Sequence, residues 1–207
     1  MFNRTYVKQV ELLLQVLPLL QKYDCFALKG GTAMNLFVQD MPRLSVDIDL
    51  AYLPLVPRED ALAGISYALE QLAVEIEAGL PGTTVQGQPV AGVTGRLVVN
   101  AENAQIKVEP NFVFRGALFP PETRTLCASA QIEFERFVES RILCEADIYG
   151  GKICAALDRQ HPRDLFDVHL MFRNPGLTDD IRSAASAGGP TSGITCASSS
   201  SACCCTA

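Results

Sequence analysis

The stretch at residues 45–52, SVDIDLAY, constrains this chain more than any other, because it sets two aspartates inside an apolar alternating frame. Val46, Ile48 and Leu50 alternate with Asp47, Asp49 and Ala51, the period-two signature of a half-buried strand. That period puts both carboxylates on one strand face. Acids are depleted in strands, and a charge among apolar neighbours is costly unless something meets it. Two carboxylates on a shared face can hold one divalent cation or a pair of them.

Upstream, LKGGTAMNLF joins a predicted strand at residues 25–29 to helical character at residues 33–39, with Gly30, Gly31 and Thr32 at the turn. Glycines let backbone N–H groups approach a phosphate with no Cβ in the way. The spacing from Gly31 to Asp47 allows one short helix and a return into an adjacent strand. Residues 3–23 have apolar positions on one helical face (Val7, Val10, Leu13, Leu14, Leu17), and residues 57–80 repeat that pattern over a longer helix. Residues 96–100 and 105–109 alternate as strands, residues 112–115 continue as extended chain, and residues 135–143 suit either strand or helix. Helices are predicted over 147–157 and 162–172. This order predicts an α+β fold: a small mixed sheet flanked by helices, with a helical C-terminal portion. We divide it into a core at residues 1–130, a helical portion of the same active site at 131–182, and a tail.

The tail, residues 183–207, carries no charged residue and is dominated by Ser, Ala and Cys. Such a segment builds no core, so it is expected to be disordered or out of frame. Thr178 before Asp179 and Asp180 reads as the cap of a helix whose continuation is missing from the sequence. The apolar N-terminal stretch is broken by Lys8, Glu11, Gln15 and Pro18, which excludes a membrane span and a secretory signal and leads us to expect a cytoplasmic protein. A net charge of −6 excludes coating of nucleic acid by bulk charge, leaving a local patch of Arg115, Arg159 and Arg163 for any RNA contact. Cys25, Cys127, Cys144 and Cys154 stand singly in apolar contexts and read as buried free thiols.

KGGTAMNLF followed by RLSVDIDL resembles the first motif of the AbiEii/AbiGii-type nucleotidyltransferases, a branch of the polymerase-β-like nucleotidyltransferase superfamily. A later block, DIYGGKICAALDRQHPRDLFDV, is similar to that family's later motifs. The resemblance implies transfer of a nucleoside monophosphate from an NTP to an acceptor, an RNA such as tRNA, by the toxin of a toxin–antitoxin or phage-defence pair with a cognate antitoxin. It implies Mg²⁺ or Mn²⁺ on Asp47 and Asp49, with Glu109 as third carboxylate; a strand-end acid before Pro110 is the alternative for Glu109. It places Gly30, Gly31, Thr32, Arg43 and Ser45 around the nucleotide phosphates, Lys152 on a β- or γ-phosphate, and Asp164 as an active-site acid with Asp167 in reserve. Asp147 would orient Lys152, a solvated surface pair being the alternative, and His161, in a turn before Pro162, reads as structural. Two other functions stay open: a truncated, inactive homologue that only binds a nucleotide or partner, and a glycosyltransferase using the DxD pair.

Overall fold

The computed structural model describes residues 2–187. Helix α1 (Arg4–Leu20) starts at Asn3, whose side chain accepts a hydrogen bond from the Thr5 N–H at 2.9 Å. Its buried stripe, from Val10 to Leu20, is the one the sequence pattern assigns to the core. Strand β1 (Phe26–Lys29) runs directly into α2 (Gly30–Ala33), which continues as a π-helical turn (Met34–Val38). β2 (Ile48–Tyr52) and α3 (Arg58–Gly79) follow. Next come β3 (Thr84–Val90), β4 (Val93–Ala101) and β5 (Ala104–Asn111), a meander of antiparallel strands. β6 (Glu122–Thr125), α4 (Ala128–Phe134) and β7 (Glu139–Ile142) lead to α5 (Glu145–Arg159), α6 (Pro162–Arg173) and α7 (Asp179–Ala187).

All seven strands join one mixed sheet in the order β3-β4-β5-β2-β1-β7-β6. β2 pairs antiparallel with β1 and parallel with β5, and β1 pairs parallel with β7. α1 and α3 pack against each other and on the sheet, α3 over β3 and β4 and α1 over β5 and β7. α2 packs on β2 and α5, so the C-terminal helices close over the glycine turn. The α+β class and mixed sheet agree with the sequence reading.

The sheet is wider than the sequence suggests, because β3 and β6 are edge strands whose residues, TVQGQPV and ETRT, are mostly exposed and carry no apolar alternation. Residues 112–115 do not continue as strand. The Asn111 side chain accepts hydrogen bonds from the N–H groups of Val113 and Phe114, both 2.9 Å, and turns the chain away. The ambiguous segment at residues 135–143 supplies β7.

The expectation of a missing last helix needs correction. Asp179–Ala187 is helical, capped by the Thr178 hydroxyl, which accepts from the Ile181 N–H at 3.2 Å. Its small uncharged residues fit: Ile181 and Ala184 are buried, and a Cβ on Gly150 would stand 2.6 Å from that of Ala184. Alanine has the highest helix propensity, and a glycine on the facing helix admits close approach. The rest of the expected tail, residues 188–207, lies outside the described residues. Cys25, Cys127, Cys144 and Cys154 are free thiols, as expected, though half-buried rather than buried. Among the described residues no helix is long and apolar enough to cross a membrane.

Candidate active site

Strand pairing lines up charged residues across the middle of the sheet. Lys29 on β1 stands opposite Asp49 on β2, and Asp49 opposite Glu109 on β5. Residues directly opposite on neighbouring strands share a face, so these three form a row. Arg96 on β4 extends it, its Nε 2.6 Å from Glu109 Oε1 in a charge contact without hydrogen-bond alignment. Asp47 lies just before the paired strand. β2 begins at Ile48, and residue 47 belongs to the loop before it, because the Thr32 hydroxyl donates to the Asp47 carbonyl at 2.6 Å and draws it toward α2. Asp47 stands two residues before Asp49, close enough to act on its charge.

Asp49 is strongly perturbed. Burial pushes its carboxyl up from 3.8 to about 6, Lys29 opposes the shift, and the negative charges of Asp47 and Glu109 add to it. Lys29 moves the other way: burial lowers its ammonium, Asp49 partly restores it, and Lys152 lowers it further. Both shifts come from charges held out of water and incompletely compensated.

The glycine pair fits this site by contact with its side chains. Gly30 has a left-handed φ of +69°, and a Cβ there would stand 2.2 Å from Asp49 Oδ2. On Gly31 a Cβ would meet Ser45 Oγ at 2.8 Å and Arg43 Nη2 at 3.2 Å. Only glycine lets the backbone pack against the carboxylate, hydroxyl and guanidinium that the intervening loop brings in. The Thr32 hydroxyl, committed to Asp47, orients that loop. Asn35 reinforces the turn, its side-chain amide donating to the Gly31 carbonyl at 2.8 Å.

A second cluster sits where α5 and α6 meet the same loop. Arg43 holds Asp167 with two bonds, Nε to Oδ1 at 2.8 Å and Nη2 to Oδ2 at 2.5 Å. Lys152 Nζ lies 3.1 Å from both Asp167 Oδ2 and Asp164 Oδ1. Arg159 Nη2 closes the chain on Asp164 Oδ2 at 3.0 Å. The Asp167 side chain is 0% exposed and that of Lys152 8%. Burial raises the Asp164 carboxyl, but Lys152, Arg159 and His161 outweigh it and hold the group below its ordinary value. A fork-shaped guanidinium on a buried carboxylate is the geometry expected of a fixed ion pair.

A model of the AbiEii nucleotidyl transferase toxin of type IV toxin–antitoxin systems matches residues 11–193. The chain belongs to the AbiEii nucleotidyltransferase toxin family. Among solved structures it is similar to MenT4, a nucleotidyltransferase toxin from Mycobacterium tuberculosis, with TM-score 0.62 and 17% identity over 86% of this chain and 63% of that one. It is also similar to JHP933 from Helicobacter pylori, with TM-score 0.58 and 19% identity over 89% of this chain and 74% of that one. At these identities the likeness shows a shared fold. The curated proteins yield no match.

In this AbiEii-family chain the structure regroups the residues nominated from sequence. Asp49, Glu109, Gly30 and Gly31 meet at one site, with Asp47 on its border. Arg43 contacts Asp167 while still flanking Gly31, and Lys152 and Asp164 pair with each other. Asp147 does not orient Lys152; its carboxylate accepts from the N–H groups of Leu118 at 3.3 Å and Phe119 at 3.0 Å and fixes that loop to α5. His161 caps the start of α6, its Nδ1 accepting from the Arg163 N–H. Of the arginines nominated for RNA, Arg115 donates to the Val56 carbonyl at 2.9 Å and Arg159 pairs with Asp164, while Arg163 is exposed at the start of α6. Lys29 and Arg96 escaped the sequence reading. The signal for Lys29 was its place just before the glycines, at the end of an otherwise apolar strand; Arg96 had none short of the strand register.

Among the described residues no three or more His, Cys, Asp or Glu side chains gather into a protein-only metal cage. Asp47 and Asp49 suit a different arrangement. A hard divalent cation such as Mg²⁺ is commonly bound by one or two carboxylates, with substrate phosphates completing its shell. Burial raises Asp49 and its acidic neighbours Asp47 and Glu109 add to the shift, so a cation bound there would stabilise the charged carboxylate.

Proposed function

We propose that this chain transfers a nucleoside monophosphate from an NTP to an RNA acceptor such as tRNA, releasing pyrophosphate, as the toxin of a toxin–antitoxin pair held in check by a cognate antitoxin. The observation that carries this reading is the Asp49 carboxyl, buried against the Gly30 backbone beside Asp47 and Glu109. Family membership supports it, and MenT4 is itself described as a nucleotidyltransferase toxin. The chain covers less than two thirds of MenT4, so donor, acceptor and partner belong to the proposal.

Asp47 and Asp49 would hold Mg²⁺ or Mn²⁺, which neutralises phosphate charge and supports the leaving pyrophosphate. Glu109 holds a negative charge beside Asp49 and is itself steadied by Arg96. Gly30 and Gly31 leave the backbone open beside the carboxylates, and Ser45 and Arg43 brace that turn from the loop side. Arg43, Lys152, Asp164 and Asp167 lock α5 and α6 against the loop that carries Asp47. Holding reactants in place is a large part of phosphoryl transfer, so a rigid wall contributes to rate.

The test is incubation of the protein with Mg²⁺, bulk tRNA and each of the four α-labelled NTPs in turn, with Asp47→Ala as control. Label entering RNA from one or two nucleotides, and lost in the control, is the expected result. A folded protein that labels no RNA with any NTP would overturn the proposal.

A further inference from the structure

We propose that Lys29, rather than Lys152, supplies the ammonium that contacts the triphosphate of the donor nucleotide, and that Lys152 is a positioning residue. This rests on the nucleotidyltransferase reading above for the identity of the ligand, but the observations behind it are separate. Two lysines flank Asp49 closely enough to act on it and on each other. They differ in what holds them.

Lys152 is spoken for. Its ammonium makes two ion pairs at 3.1 Å, with Asp164 and Asp167, and those carboxylates are further held by Arg159 and Arg43. A phosphate reaching Lys152 must compete with two carboxylates that already offset its charge, in a place where disturbing a buried ion pair is costly.

Lys29 is free. It closes β1, directly opposite Asp49 and next to the left-handed Gly30. Among the described residues its ammonium makes no hydrogen bond and no ion pair, although most of the side chain is enclosed. An ammonium is a compact charge with three donors and suits phosphate oxygens without a fixed bite. Because Lys29 stands across the strand pair from Asp49, a triphosphate lying over the glycine turn would have Lys29 and any cation on Asp47 and Asp49 on adjoining sides. The enclosed stem limits where the ammonium can go, so it waits in place for the ligand.

The experiment is acetylation of the folded wild-type chain, with and without saturating inorganic triphosphate and Mg²⁺, read residue by residue by peptide mass spectrometry. Lys29 is expected to label in the free protein and to be slowed about tenfold by triphosphate, an effect equivalent to about 1.4 kcal/mol of binding. Lys152 is expected to stay unreactive in both states. In parallel, Lys29→Met should weaken triphosphate about tenfold by calorimetry and raise KM for the NTP more than it lowers kcat. Lys29→Arg should recover most of the affinity, and Lys22→Gln, which removes an equal charge from an exposed pair with Glu75, should change nothing. Unchanged affinity in Lys29→Met, or protection of Lys152 in place of Lys29, overturns the assignment, as does failure of the wild type to bind triphosphate. Protection of Lys29 without RNA labelling would keep the assignment and remove the transferase reading; RNA labelling without protection would do the reverse.

Discussion

Two charged clusters lie side by side in this molecule, and they are built on opposite principles. In the sheet row of Lys29, Asp49 and Glu109, together with Asp47, charges are left partly uncompensated: Asp49 is pushed up to about 6, and Lys29 has no ion-pair partner among the described residues. In the helical cluster of Arg43, Lys152, Asp164, Asp167 and Arg159, every group has an ion-pair partner and Asp164 is held low. Unmet charge in a half-buried site is a demand for a ligand, whereas a closed network demands nothing further. In our proposal the lysine and aspartates of α5 and α6 build the wall, and the sheet row faces the chemistry.

The largest effect that would break this comparison is on activity. Asp49→Ala is expected to abolish nucleotide transfer while leaving the far-ultraviolet dichroism and melting cooperativity intact, because β2 keeps its backbone pairing and loses only a charge that burial opposes. Transfer at the wild-type rate would show that the row is not the reacting side.

Next comes stability. Asp167→Ala removes the carboxylate shared by Arg43 and Lys152 and leaves two cations short of a partner, a loss of about 3–5 kcal/mol for a broken buried pair. Urea unfolding monitored at neutral pH measures it. A loss within about 1 kcal/mol, the worth of an exposed pair, would mean that the helical cluster does not hold the fold together.

The smallest effect sharpens the contrast, since the two clusters respond to pH with opposite sign. Asp49 has a folded value raised from 3.8 to about 6, so the native state binds the proton more tightly than the unfolded one. Its contribution therefore favours folding at low pH and is lost as pH rises from about 4 to about 6. Asp164 has a lowered folded value, so its contribution is present above its ordinary 3.8 and is lost as pH falls through the lowered value. Urea unfolding of metal-free wild type and Asp49→Asn across this range isolates the first term: the variant should lack the decline between about pH 4 and pH 6. Parallel curves for the two proteins would remove Asp49 as its source.

Much of the fold was legible because its central elements obey strong patterns. The stripe of α1, the length of α3 and the alternation in β2, β4 and β5 report burial on one face, and burial is written in sequence as periodicity. The edge strands were not legible, since a strand with one paired side and mostly exposed side chains has no apolar pattern to show. The last helix was underestimated because alanine and serine look like filler until a facing glycine gives them something to pack against.

By itself, then, the sequence determined that a glycine turn and a carboxylate-bearing strand lie together, because chain connectivity and spacing place them within one short helix of each other. It also determined the family, through motifs in order along the chain. Only the tertiary structure decided which charges pair with one another and which do not. Asp147 went to a loop, Lys152 to Asp164 and Asp167, and Lys29 was left open beside Asp49. The physical reason is that ion pairing is a contest among groups far apart in sequence, such as Arg43 and Asp167, and its outcome depends on distances that no local pattern encodes.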